Sequence, residues 1–109
     1  MIASFKDSDL EAFYYAGPGR RTRRMPAAIH KVLRRKLDQL FSAVDLRDLR
    51  APPGNRLQAL KGDREGYHSI RVSDQRFDKL TALSEVEGWR IVFRWERDAA
   101  YEVEFADYH

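Results

Sequence analysis

From Pro26 to Phe41 the apolar residues Ile29, Leu33, Leu37, Leu40 and Phe41 return at intervals that place them on one face of a helix, with Pro26 suited to its first turn. Arg34, Arg35 and Lys36 are expected mostly off that face. Upstream, Met1 to Lys6 forms a short strand. Ser8 or Asp9 then caps a brief helix carrying Leu10, Phe13 and Tyr14, and Gly17-Pro18-Gly19 breaks the pattern. Asp45 caps a helical turn through Leu49, which Pro52-Pro53-Gly54-Asn55 ends, because proline lacks a donor and glycine permits tight turns.

Beyond Asn55 the period changes from helical to alternating. Leu57 to Lys61, Tyr67 to Val72, Trp89 to Trp95 and Ala100 to Phe105 are rich in aromatic and β-branched residues, the composition of strands. In the third of these, Trp89, Ile91, Phe93 and Trp95 share one side, with the two tryptophans as core anchors. Arg90, Val92 and Arg94 share the other. Tyr101, Val103 and Phe105 join the aromatic side beneath the long helix. Helices followed by a meander of strands define an α+β class: a small twisted, mainly antiparallel sheet with two or three N-terminal helices on one face. Residues 1–109 are expected to form a single domain.

Composition narrows the chemistry. With 109 residues and 43% hydrophobic content, one core is affordable and two are not. No segment reaches the ~20 apolar residues of a membrane span, and Met1 to Lys6 lacks a secretion signal, so the expected location is the cytoplasm, with no membrane partner. The chain has no cysteine, and its three histidines, His30, His68 and His109, lack metal-ligand spacing, so neither metal nor cofactor is expected. The net charge of +3 hides a division: Arg20 to Lys36 carries eight bases and no acid, leaving 12 bases against 17 acids elsewhere. A cationic stretch of this kind suits a polyanion, although a solvated helix face is the commoner explanation of a charge run. Arg20, Arg21, Arg23 and Arg24, in a Gly/Pro-flanked loop, are candidate contacts to such a polyanion. On the open side of the sheet, Arg90 and Arg94 make a cationic row to which Lys61, Arg64 and Arg71 can add. Asp107-Tyr108-His109 follow directly on the last strand, an acid, a phenol and an imidazole where a sheet stops.

Taken in order, Pro52-Pro53-Gly54-Asn55-Arg56-Leu57, Leu60-Lys61-Gly62-Asp63-Arg64, Ser69-Ile70-Arg71-Val72, Trp89-Arg90-Ile91-Val92-Phe93 and Asp107-Tyr108-His109 resemble the HigB toxins of the RelE/ParE superfamily. The resemblance implies a RelE-like fold and ribosome-dependent, metal-independent cleavage of messenger RNA. It also implies a HigA-like helix-turn-helix antitoxin, through whose complex alone operator DNA is bound. It matches Lys61, Arg90, Asp107, Tyr108 and His109 to the family's catalytic set, leaving Arg20, Arg21, Arg23, Arg24, Arg64, Arg71 and Arg94 as RNA-binding candidates.

Two departures stand out. Where some HigB toxins carry a functional histidine three residues before the lysine, this chain has Gln58, which exchanges no proton near neutral pH. An apparent insertion of about 13 residues, Arg76 to Gly88, precedes the Trp89 strand.

RNA supplies its own nucleophile, the 2′-hydroxyl, so the protein needs to align it, move protons and stabilise charge on phosphorus. Arg90 and Lys61 suit the last task, and His109, with an ordinary pKa of ~6.5, suits the second. Asp107 can orient His109, and Tyr108 can stack on an unpaired base or assist the leaving group. His30 is expected at the surface and His68 packed on its strand, with His68 a secondary candidate. Two other functions share the scaffold: gyrase inhibition by a ParE-like toxin, and RNA binding without catalysis.

Overall fold

The computed structural model describes residues 1–52, 54–72 and 88–107. Expectations for the 76–88 insertion therefore lie outside the described residues except at Gly88, and those for Tyr108 and His109 lie outside entirely. Among the described residues the order is α1 (Ser8–Ala16), α2 (His30–Ser42), α3 (Arg47–Arg50), β1 (Gln58–Ala59), β2 (Tyr67–Arg71), β3 (Trp89–Glu96) and β4 (Ala99–Asp107). Short 3-10 turns at Arg20–Thr22, Ala27–Ile29 and Gly62–Arg64 join them. The four strands form one antiparallel meander in the order β1-β2-β3-β4. The α+β class expected from the change of period is the class observed.

The helices bury their apolar stripes against one face of the sheet. Leu10 and Phe13 of α1, Leu33, Leu37 and Leu40 of α2, and Leu49 of α3 share a core with Ile70, Ile91, Phe93, Val103 and Phe105. Each fully buried large side chain contributes about 1.5–3 kcal/mol, so this layer supplies much of the stability. Lys36 departs from expectation: it is 1% exposed. The 3.6-residue period explains this, because position 36 falls between 33, 37 and 40 on the buried stripe. Phe41 lies at the edge of that stripe, 45% exposed, with its ring 6.2 Å from that of Tyr14.

Local chemistry corrects several boundaries. The cap of α1 is Asp7, not Ser8 or Asp9: its Oδ1 accepts from the amides of Asp9 and Leu10, each at 3.1 Å. Burial opposes the charged form of Asp7, but the bond from Arg24, helped by the amides of Phe105 and Leu10, holds its carboxyl below the usual range. Pro26 precedes the 3-10 turn Ala27–Ile29, and the α-helix proper begins at His30. His30 is half-buried rather than at the surface, with Nε2 donating to the Met25 carbonyl at 2.7 Å.

Met1 to Lys6 is extended, but it meets β4 only through parallel bridges at Ile2–Ala100 and Phe5–Val103. β1 is shorter than Leu57 to Lys61, because Arg56 takes a left-handed conformation (φ 45°) and Lys61 begins the turn Gly62–Arg64.

β4 contains a bulge. Val92 faces Glu104 and Arg94 faces Tyr101, so Phe93 stands across from both Glu102 and Val103. Glu102 occupies the left-handed region (φ 54°), and its amide donates to the Ser4 hydroxyl at 2.9 Å. The bulge turns Val103 into the core but corrects the expectation for Tyr101, which stands opposite Arg94 on the other face, as Glu104 stands opposite Val92.

Candidate active site

The face of the sheet away from the helices carries the candidate chemistry. Residues opposed in an antiparallel pair project to the same side, so the register assembles rungs across this face. One rung joins Arg71, Arg90 and Ala106. The next joins Gln58, Ser69, Val92 and Glu104, and a third joins Tyr67, Arg94 and Tyr101. Gln58 thus stands across from Ser69 on the Arg90 side.

Arg90 is half-buried, and its Nη1 donates to the Ser69 hydroxyl at 3.0 Å and to the Arg56 carbonyl at 3.4 Å. Arg71, beside it in register, is 3% exposed. The expectation that Arg71 joins an exposed cationic row is corrected by that burial. Its backbone amide donates to the Asn55 carbonyl at 2.6 Å, tying the preceding loop to β2. Asn55 is itself buried; its Nδ2 donates to the Leu49 carbonyl at 2.9 Å and its Oδ1 accepts from Lys36 Nζ.

The opposite end of the face is an ion-pair network. Arg94 donates to Glu96 and, at 3.1 Å through Nε, to Glu102, while its guanidinium lies 4.8 Å from the centre of the Tyr101 ring. Tyr67 donates to the same Glu102 at 2.9 Å. That bond, then the one from Arg94, holds the Glu102 carboxyl below the usual range, and donating to Glu102 raises the Tyr67 hydroxyl. Arg64 pairs with Glu104 at 2.9 Å and lies 5.6 Å from the Tyr67 ring centre, and Lys6 approaches Glu104 at 3.6 Å. Alternation alone made Arg90 and Arg94 equivalent, but the structure separates them. Glu102 and Glu104 were legible as acids opposite this basic strand; the bulge that aims Glu102 was not.

Lys61 is exposed at the start of the turn Gly62–Arg64, where Gly62 takes φ 68°. It lies at the Tyr67 end of β2, since the Leu60 amide donates to the Tyr67 carbonyl at 2.9 Å. The rungs of Tyr67 and Arg71 are about 13 Å apart at ~3.3 Å per residue, so Lys61 and Arg90 flank the face instead of touching. Asp107 is exposed and pairs in register with Trp89, on the helix-side alternation and adjacent to the Arg90–Ala106 rung. His68 shares the helix-side alternation with Phe93, its ring stacked 6.0 Å away, and burial lowers its pKa, favouring the neutral ring. It packs under the sheet, away from Arg90.

In the basic N-terminal segment, Arg20 and Arg23 are exposed. Arg21 pairs with Asp9 at 3.3 Å, whereas Arg24 pairs with Asp7 and approaches Asp9 at 3.7 Å. Arg24 also donates to the Phe105 carbonyl at 3.4 Å, so it fastens α1 to β4. Acids from α1 therefore offset part of a run that looks uncompensated in sequence. Among the described residues, no three His, Asp or Glu side chains gather as metal ligands would, and no helix is long and apolar enough to cross a membrane.

Comparison with known proteins agrees with this arrangement. A family model of the RelE-like toxin of the type II toxin-antitoxin system HigB matches residues 3–109. Toxin HigB-1 of Vibrio cholerae serotype O1 is 39% identical over 95 residues, covering 87% of this chain and 84% of the relative. Endoribonuclease HigB of Proteus vulgaris is 31% identical over 109 residues, covering 100% of both chains. With the whole helical layer and the full meander inside the matched region, the chain belongs to the HigB-like toxins of type II toxin-antitoxin systems.

Proposed function

We infer that this toxin cleaves messenger RNA on the ribosome in the cytoplasm, and that a HigA-like helix-turn-helix antitoxin neutralises it and carries the pair to operator DNA. The observation that carries the reading is the β3–β4 register. Arg90 stands opposite Ala106, and Asp107, the first residue of the Asp107-Tyr108-His109 triplet, pairs on the adjacent rung with Trp89. The relative named as an endoribonuclease aligns over the same length and supports the choice of RNA as substrate.

An RNA strand running along this side of the sheet meets half-buried Arg90 at one end and exposed Lys61 at the other. Arg90 offers a planar, two-point contact to the non-bridging oxygens of the scissile phosphate, stabilising charge as the 2′-hydroxyl attacks. Lys61 supplies a mobile point charge to the same backbone. His109 takes the proton of the 2′-hydroxyl as it attacks and returns it to the departing 5′-oxygen as the P–O5′ bond breaks, Asp107 orients His109, and Tyr108 stacks on an unpaired base. Gln58 leaves the proton chemistry to His109. Arg20, Arg21 and Arg23 face ribosomal RNA or the antitoxin. Residues 1–109 act as one toxin domain, with the 76–88 insertion as an elaboration of it.

Induced expression followed by mapping of transcript 5′ ends tests this reading. The parent produces new ends within translated regions, and Arg90→Ala does not. Omitting ribosomes from a purified cleavage reaction abolishes the parent's activity. Growth arrest without new ends, accompanied by loss of gyrase supercoiling, overturns the RNA reading in favour of a ParE-like action.

A further inference from the structure

We propose that Ser69 is a positioning residue for RNA cleavage: its buried hydroxyl, together with the Arg56 carbonyl, holds the Arg90 guanidinium in the attitude in which it meets the scissile phosphate. This rests on the assignment of Arg90 to that phosphate.

Ser69 lies in the middle of β2 with 0% exposure, on the open-face alternation between Gln58 on β1 and Val92 on β3. A buried hydroxyl in a strand needs a partner. Here Arg90 Nη1 donates to Ser69 Oγ at 3.0 Å, with the Arg56 carbonyl accepting from the same nitrogen at 3.4 Å. Arginine has a long, flexible side chain, and two acceptors on one terminal nitrogen fix the direction of its planar fork.

Neither acceptor is loosely placed. Ser69 is held by pairing on both sides, opposite Gln58 and Val92. Arg56 is turned by its left-handed backbone (φ 45°), and the neighbouring Asn55 is bound to α2, to the Leu49 carbonyl and to the Arg71 amide. The Pro52-to-Leu57 stretch therefore has a use that its sequence does not announce: it brings a backbone oxygen to the arginine. Arg94, on the same strand, lacks this arrangement and is held by Glu96 and Glu102.

A cycle of full-length variants tests the assignment: parent, Ser69→Ala, Ser69→Thr, Arg90→Ala and the Ser69→Ala/Arg90→Ala double variant. The readouts are single-turnover cleavage of messenger RNA on programmed ribosomes at varied ribosome concentration, and the thermal unfolding midpoint. Ser69→Ala is expected to slow the saturated rate about tenfold, since small misplacements of a charge-stabilising group are expensive, while half-saturation moves less than about twofold. Its unfolding midpoint stays near the parent's. Ser69→Thr, which keeps the hydroxyl and suits a strand, returns most of the rate. Ser69→Ala adds nothing in the Arg90→Ala background, because the two act as a unit.

Parental cleavage by Ser69→Ala alongside slow Arg90→Ala overturns the positioning role and leaves the Arg90 assignment standing. An equal loss from Ser69→Ala in both backgrounds, or a loss that Ser69→Thr does not relieve, overturns it likewise. Parental cleavage by Arg90→Ala removes the assignment of Arg90 and the proposal together.

Discussion

Arg90 and Arg94 sit on one strand, four residues apart, with the same sheet-face alternation, yet the two ends of the face treat them differently. Arg94 is tied to the carboxylates of Glu96 and Glu102, and the neighbouring Arg64 to Glu104. Arg90 bonds to two neutral oxygens, the Ser69 hydroxyl and the Arg56 carbonyl. The carboxylates of Glu96 and Glu102 hold Arg94 in an ion-pair network, whereas the Ser69 hydroxyl and the Arg56 carbonyl set the direction of the Arg90 fork.

The largest expected effect is at Arg90. Replacing it with Ala lowers cleavage on programmed ribosomes by on the order of 10²-fold or more, the scale of removing one charge-stabilising donor. A loss of similar size from Arg94→Ala would erase the contrast between the two ends. Next, His109→Ala lowers cleavage by about 10²-fold, the usual contribution of an acid–base group, and flattens the pH–rate profile near neutrality; an unchanged profile removes the imidazole from the mechanism. Arg94→Ala itself changes cleavage by no more than about threefold, as expected of a surface pair away from the reacting atoms.

Asp7→Ala probes the helix side of the sheet, where neither arginine lies. It leaves the cleavage rate of folded protein unchanged but lowers stability in urea by about 1–2 kcal/mol through loss of the helix cap. Because its folded pKa is depressed, Asp7 contributes stability above the ordinary carboxylate value of 3.8, and that contribution is lost as pH falls below it. The variant therefore loses less stability than the parent on acidification. Parallel acid limbs for the two proteins count against the Arg24–Asp7 link.

The class of fold was legible because helix and strand periods occupy separate halves of the chain. Leu33, Leu37 and Leu40 announced the buried stripe, and Ile91 and Phe93 the core side of β3. Lys36 was misplaced because residue type was weighed above angular position, although position 36 lies inside the stripe. The Asp7 cap was missed by one or two residues, since Asp7, Ser8 and Asp9 are all capping types and tertiary bonds from Arg24 and the Phe105 amide favour Asp7. Arg90 was legible as a candidate from motif and alternation together, but Ser69 looked like any strand serine. The burial of Arg71 was not legible, because alternation places it beside Arg90 and says nothing of how deeply that position is covered.

The extra residue at Glu102 gives β4 an unusual sensitivity to length. On either side of it the alternation is offset by one step, so the strand is keyed to Phe93 much as a zip is keyed to one misaligned tooth. Exchanging side chains along Ala99–Asp107 alters one position at a time, and deleting Glu102 itself would only restore a regular ladder, but deleting a residue elsewhere in the strand rotates the part beyond it, sending Val103 toward water or Glu104 toward the helices. Divergence within this segment should therefore proceed by replacement and hardly at all by insertion or loss.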